Sequence, residues 1–448
     1  MFRTSRRWFR SATALALAGL SLSAITACSG DTGSSGTTTA AESSAAAEAT
    51  SAAAAEAVTI SYWIWDKNQQ PAIQQIADDF HAANPSITVT VELASAYRDY
   101  WTKLQTAATS GTAPDVFWMN GPNFQLYASN GQLEPLDDVF ASSLSSSDYP
   151  QSLIDLYTYD GHQYGVPKDF DTVVLAYNSQ LFADAGVAAP TDTWTWDDVH
   201  AAAQALTDPS KGIYGMFAGF YSQEDYYDTI YQAGGYVISA DGKSSGYDQP
   251  EAIAGIQYWI DFIKDGSSPD YATMNDVDPD QSGVMLGNGT AAMEYIASYS
   301  AAAILDTPEG QAGHIKFARL PAGVQEASII HGLGNVVYAQ SAHKDAAKAF
   351  VAYLGSKAAA DVQAETSTVI PAFNGTQDTW VASFPAEVNA QVFIDELPVT
   401  VPYPVSANTS AWANQESEIL SKAWSLEQTP EEACAAMAKA MNEALAAE

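Results

Sequence analysis

Apolar positions first organise the chain at residues 58–65, which alternate like a strand yet are apolar or aromatic on both faces. A strand covered on both sides by helices reads this way. Pro71 then opens a run in which Ile73, Ile76, Ala77, Phe80 and Ala83 recur at helical spacing, and Asn84-Pro85 ends it. Residues 87–93 predict a second strand, 95–110 a second helix, and 114–118 the opening of a third strand. This β-α-β-α-β order with helical crossovers predicts an α/β fold built on a mostly parallel sheet flanked by helices.

The pattern continues to the C-terminus. A turn at Gly165 and Pro167 and a knot of charge (Lys168, Asp169, Asp171) run into an apolar strand over 172–177. Asn178 is placed to cap a short helix that Gly186 closes. Thr195-Trp196-Asp197-Asp198 has the form of a capping box with Asp in the reciprocal place. Helices are predicted from about Gln223, over 250–263 with Gly266 as the stop, over 345–354, and from Thr429-Pro430-Glu431-Glu432 to about Ala447. Residues 290–293, 315–320 and 329–339 read as strands. No Gly-x-Gly-x-x-Gly follows the first strand and no Walker A sequence occurs, so neither a dinucleotide nor an NTP is indicated. No cofactor is expected.

The N-terminus changes the picture. Arg3, Arg6, Arg7 and Arg10 precede an apolar stretch over 12–25, too short to span a membrane comfortably. A basic head, an apolar middle and small residues form an export signal over 1–27. Ile25-Thr26-Ala27-Cys28 resembles a bacterial lipobox, which implies diacylglycerol on Cys28 and a position on the outer face of the cytoplasmic membrane. Residues 28–57 are Ser, Thr, Gly and Ala with a few acids, a composition that buries too little apolar surface to offset chain entropy. They read as a flexible stalk.

The remaining body is long enough for two domains. Loss of the signal removes four arginines and leaves 14 basic residues against 53 acidic ones, a formal charge of −39, with Arg98 and Arg319 the only arginines. Nucleic-acid binding is excluded by that balance, because phosphate neutralisation needs basic side chains. A neutral ligand fits it better. Cys434, at helical spacing with Met437, Met441 and Leu445, reads as a buried inert thiol.

Several segments together resemble the family 1 extracellular solute-binding proteins, the substrate receptors of ABC importers, in their maltose and oligosaccharide-binding group. They are Tyr164-Gly165-Val166-Pro167, Tyr177-Asn178, Leu181-Phe182-Ala183-Asp184-Ala185-Gly186-Val187, the 195–198 helix start, Gly287-Asn288-Gly289-Thr290-Ala291-Ala292-Met293 and the 345–354 helix. The resemblance implies a periplasmic-binding-protein-like fold of two lobes, each with a central mostly parallel sheet, joined by a hinge. The first lobe would comprise 58–168 plus 322–370, the second 169–321 plus 371–448. It further implies a monomer that closes on a mono- or oligosaccharide and delivers it to permease subunits, with no catalysis.

Pyranose rings offer apolar C–H faces and hydroxyls, so they call for aromatic platforms and carboxylate or amide partners. Trp65 and Asp66 end the first strand, where open parallel sheets place ligands; Tyr97 and Arg98 follow the second, and Asn120 the third. Trp63, also on the first strand, reads more readily as core. Lys168, Asp169 and Asp171 lie at the crossing, and Asp171 either holds sugar hydroxyls or pairs with Lys168. Tyr221, Glu294 and Tyr295 are candidates from the second lobe, although Glu294-Tyr295 departs from the residues the family carries there. Asn408 and Trp412 occupy the zone of a stacking aromatic, and Gly334 with Asn335 permits close backbone approach. A glycoside hydrolase would also combine tryptophans with paired carboxylates. Against other enzymes, no His-Glu-x-x-His occurs, and the six histidines are scattered. Asp276-x-Asp278-x-Asp280 resembles a calcium loop but carries Gln281 where glycine is required.

Overall fold

Three parallel strands lie where the 58–120 periodicity predicts them: β1 (Val58–Ile64), β2 (Ile87–Leu93) and β3 (Val116–Asn120). The computed structural model describes residues 57–95, 97–277 and 283–448. The signal, Cys28 and nearly all of the stalk lie outside the described residues, as do Asp278, Asp280, Gln281 and the side chain of Arg98. The helices α1 (Gln70–Ala83) and α2 (Tyr97–Ser110) form the crossovers, and α3 (Gly121–Ser129) leaves the end of β3. The chain then forms β4 (Gly165–Pro167) and β5 (Val173–Asn178).

Local signals set the next elements. The Asn178 side chain accepts from the amides of Gln180 and Leu181, and Gly186 ends that helix at φ 67°. Thr195 and Asp198 complete a reciprocal capping box on α4 (Trp196–Leu206). A π-helical turn (Ser222–Tyr226) runs into α5 (Tyr227–Gln232), and α6 (Pro250–Asp265) stops at Gly266 with φ 81°. After these come β6 (Met293–Ala297), β7 (Ile315–Ala318), β8 (Leu333–Val337), α7 (Lys344–Leu354), α8 (Thr409–Ile419) and α9 (Pro430–Leu445), the last with the expected Thr429–Glu432 box. Cys434, Met437, Met441 and Leu445 are buried along one face of α9, and burial pushes the Cys434 thiol up to about 12.

Two sheets result. The first has the order β2-β1-β3-β8-β4, with β8 antiparallel to both neighbours, and is therefore mixed. The second has the order β7-β5-β6 and is antiparallel throughout, where mostly parallel pairing was expected. Its strands are joined by long excursions rather than single helical crossovers, so nothing forces parallel pairing. A parallel neighbour comes instead from 214–217 beside β6, through the Tyr214–Ala291 bridge and the Phe217 amide on the Met293 carbonyl at 2.9 Å. That edge pairing also explains why regular strand begins at Met293 rather than at 290.

The chain passes from the first sheet to the second between Pro167 and Val173, and back between Ala318 and Leu333. Trp380 and Phe393 share one apolar cluster with Ile60 and Trp118 of the first sheet and with Val174 and Phe317 of the second. Thr172 donates to the Phe393 carbonyl at 2.6 Å. The 377–393 stretch is thus packed directly behind the crossing. A separate cluster surrounds α6, α8 and α9.

Candidate functional site

The crossing from Lys168 to Asp171 builds two different carboxylate environments two residues apart. Lys168 is buried, its Nζ 2.5 Å from Asp169 Oδ2 and 2.6 Å from Gln69 Oε1, and it sits 4.7 Å above the Trp118 ring. The other Asp169 oxygen accepts from the Leu333 amide at 2.9 Å. Lysine, aspartate and glutamine are thereby saturated, and together they clip the start of α1, β3 and β8 to the crossing.

Asp171 is built otherwise. Its backbone bridges His331, and its Oδ1 accepts from Ser298 Oγ at 2.9 Å. The side chain is buried, yet Oδ2 has no partner among the described residues and is not sealed from solvent. Burial, helped by the nearby negative charge of Asp169, holds this carboxyl well above the usual carboxylate range. The salt bridge anticipated between Lys168 and Asp171 does not form, because Lys168 is taken by Asp169.

Around Asp171 the fold gathers phenols from four distant segments. Tyr299 follows β6, is 39% exposed, and its phenol lies beside the Glu224 and Tyr221 side chains. Tyr221 caps the π-helical turn, its amide bound by Asp225 Oδ2 at 2.8 Å. Tyr97, at the start of α2 and 44% exposed, lies within electrostatic reach of Tyr221 and of Tyr403. Tyr403 stands near Ser222 Oγ, at 3.3 Å, and packs on His331 with ring centroids 5.0 Å apart. His331 is kept neutral: burial lowers it to about 4, and its Nε2 accepts from the Gly121 amide. The result is a surface of partly open phenols, with the Asp171 and Glu224 carboxyls beside them and no lysine or arginine among the described lining residues. Such a surface binds hydroxyl donors and flat apolar faces.

Other predicted residues support the cleft rather than open into it. Trp65 is half-buried in a ring cluster, 4.8 Å from Tyr100, 4.9 Å from Trp118 and 5.6 Å from Tyr97. Asp66 accepts from the Asn68 amide and from Gln69 Nε2, ordering the approach to α1. Asn120 caps α3 through Asn123, and its Nδ2 reaches Tyr97 Oη at 3.4 Å.

Several candidates lie elsewhere. Tyr295 is core, hydrogen-bonded to Tyr258 and edge-on to Trp259. Glu294 is buried within β6. Trp412 is fully buried, its Nε1 donating to Ser406 Oγ at 2.9 Å. Asn335 accepts from Tyr62 Oη in a buried chain that continues to Trp118 Nε1. At Gly334 a Cβ would stand 2.9 Å from the Tyr157 ring, so this glycine makes room for a core side chain. Asn408 borders a groove with Leu126 and Ser129 of α3. Tyr299, Glu224, Tyr403 and His331 were missed in the sequence. Only Tyr403, within Pro402-Tyr403-Pro404, carried a local mark.

The chain matches the family model for bacterial extracellular solute-binding protein over residues 66–361. It is similar to a maltotriose-binding protein of Pyrococcus abyssi, 27% identical over 221 residues, which is 48% of this chain and 46% of that protein. The chain thus spans about half the length of the curated relatives it first matches. It is also similar to the diacetylchitobiose binding protein DasA of Streptomyces coelicolor, 25% identical over 339 residues, 74% of this chain and 77% of that one. Among solved structures, an ABC substrate-binding protein of Listeria monocytogenes in complex with cycloalternan superposes with a TM-score of 0.80 at 26% identity, over 87% of this chain and all of that one. With the family model covering well over half of its residues and a solved member matched along its whole length, this chain belongs to the bacterial extracellular solute-binding protein family.

Proposed function

We propose that this protein is an extracellular carbohydrate receptor that captures an oligosaccharide and presents it to the permease subunits of an ABC importer. The observation that carries the reading is the cleft at Asp171: a carboxylate with one oxygen open, faced by Glu224 and flanked by the partly exposed rings of Tyr97 and Tyr299. Relatives that bind maltotriose and diacetylchitobiose, and a neighbour solved with cycloalternan, support a sugar as the ligand class. Mono- and oligosaccharides without charge suit the acidic body.

The lobes we assign are 58–168 with 322–370 and 169–321 with 371–448, hinged at the crossings on either side of Asp171 and His331. Binding energy shifts an open–closed equilibrium toward closure. The lipid on Cys28 and the stalk would hold a monomeric receptor at the outer face of the cytoplasmic membrane.

A thermal-shift screen against neutral mono- and oligosaccharides tests the reading, because binding to the folded state alone raises the midpoint. At least one sugar should raise it, without cleavage products after prolonged incubation. If no sugar shifts the midpoint, the receptor reading fails; if the bound sugar is hydrolysed, Asp171 and Glu224 belong to a glycosidase instead.

A further inference from the structure

Behind the cleft, one buried carboxylate collects three phenols. Glu416 of α8 is 4% exposed. Its Oε1 accepts from Tyr247 Oη at 2.5 Å and Tyr227 Oη at 2.8 Å, and its Oε2 accepts from Tyr226 Oη at 3.1 Å. No lysine, arginine or histidine forms an ion pair with it among the described residues.

These partners sit on ligand-facing machinery. Tyr226 and Tyr227 span the junction between the π-helical turn and α5, immediately after Tyr221 and Glu224. The preceding residues are held as well, because Trp424 Nε1 donates to the carbonyls of Ala218 and Gly219. At its other end α8 presents Ser410, whose hydroxyl donates to Asn123 Oδ1 of α3 at 3.1 Å. Asn123 in turn donates to Asn120, which touches Tyr97. One carboxylate therefore joins the turn on one wall of the cleft to the helix that reaches across to the other.

We propose that Glu416 is the positioning residue of the cleft, docking the 221–227 turn against α8 and so fixing how Tyr221 and Glu224 meet a ligand. The consequence for ligand rests on the receptor reading above; the docking itself does not. Groups facing the carboxylate are Tyr226 and Tyr227 from the turn and α5, Tyr247 from the loop before α6, Tyr403 ahead of α8, and Cys434 from α9 near Tyr247. All five are pushed upward and stay protonated at neutral pH. Asp225 in the turn and Asp228 in α5 bind the amides of Tyr221 and Ile329, and burial pushes both carboxyls well up. Burial raises the Glu416 carboxyl to about 7 even though the phenols favour its ionised form.

Linkage sets the sign. A turn that opens lets Glu416 titrate near its ordinary value, whereas the docked turn keeps its proton up to about pH 7. Opening therefore releases a proton between those limits and becomes easier as pH rises through that window, then levels off.

Hydrogen exchange of the ligand-free full chain, corrected for intrinsic rates, reads this directly. In the wild type, protection of the 218–228 segment should fall between pH 5 and 7 by up to about tenfold per unit and level off above. Glu416→Gln, neutral at every pH, should make that slope in 218–228 shallower by the one proton Glu416 contributes and leave the strands of the first sheet unchanged. Tyr227→Phe, which keeps the ring and removes one phenol, should extend the fall above pH 7. An unaltered slope in Glu416→Gln, or loss of protection spread equally over the first sheet, overturns the proposal. Because no sugar is needed, this outcome is independent of the thermal-shift screen.

Discussion

Asp169 and Asp171 are two residues apart, and both are buried, yet they differ in every partner. Asp169 is neutralised by Lys168 and a backbone amide; Asp171 has one hydroxyl and an open oxygen. Their neighbourhood teaches how one short crossing both joins two sheets and presents an acceptor. A saturated pair gives rigidity, whereas an under-partnered carboxylate keeps binding capacity in reserve.

The largest expected effect breaks the saturated half. Lys168→Met should strand the buried Asp169 carboxylate and the Gln69 amide, and cost about 3–5 kcal/mol of stability in urea unfolding. Asp171→Asn should leave the folded state intact but replace one acceptor oxygen by an amide donor. Calorimetric affinity for the best sugar of the screen should fall by roughly tenfold, the effect of about 1–1.5 kcal/mol for one lost hydrogen bond. An unchanged affinity would remove Asp171 from the site.

The aromatic residues divide in the same way. Trp412→Ala should cost about 3–5 kcal/mol of stability, as a buried tryptophan does. Tyr299→Ala should hardly change the unfolding midpoint but weaken sugar binding by about tenfold. If the two variants exchange phenotypes, the assignment of core and cleft is reversed.

The smallest expected effect is on pH dependence. Asp171 is raised in the folded state, so the native chain holds a proton that the unfolded chain releases above about pH 4. Its contribution to stability is therefore greatest below that point and is lost as pH rises toward the folded value. Asp171→Asn should flatten this part of a stability–pH curve measured by chemical denaturation. An identical slope in both proteins would place the titration elsewhere.

The caps illustrate what could be read directly. Asn178, Thr195 and Thr429 each bind amides within three residues of themselves, and Gly186 and Gly266 end their helices with positive φ. Partners so close in the chain leave a local signature. The strand order of the first sheet was partly legible because β1, β2 and β3 are linked by single crossover helices. The antiparallel second sheet was not, since β5 and β6 are more than a hundred residues apart. Likewise Trp65, Asp66 and Asn120 were found at strand ends because that location follows from topology, though each turns out to brace a neighbour. Tyr295, Trp412 and Asn335 had the right chemistry for a ligand, but the Tyr295 hydroxyl, the Trp412 indole N–H and the Asn335 amide oxygen found partners inside the protein.

The sequence by itself determined the α/β class, the capped helices, the crossing from Gly165 to Tyr177 and the family, because each depends on spacing or on neighbouring residues. Only the tertiary structure decided which aromatic rings face the cleft and which aspartate is open. Tyr97, Tyr221, Tyr299 and Tyr403 come together across some three hundred residues, and Asp171 stays uncommitted only because Lys168 folds toward Asp169, Gln69 and the face of Trp118. Burial and pairing are properties of contacts that are distant in the chain, and no local pattern records them.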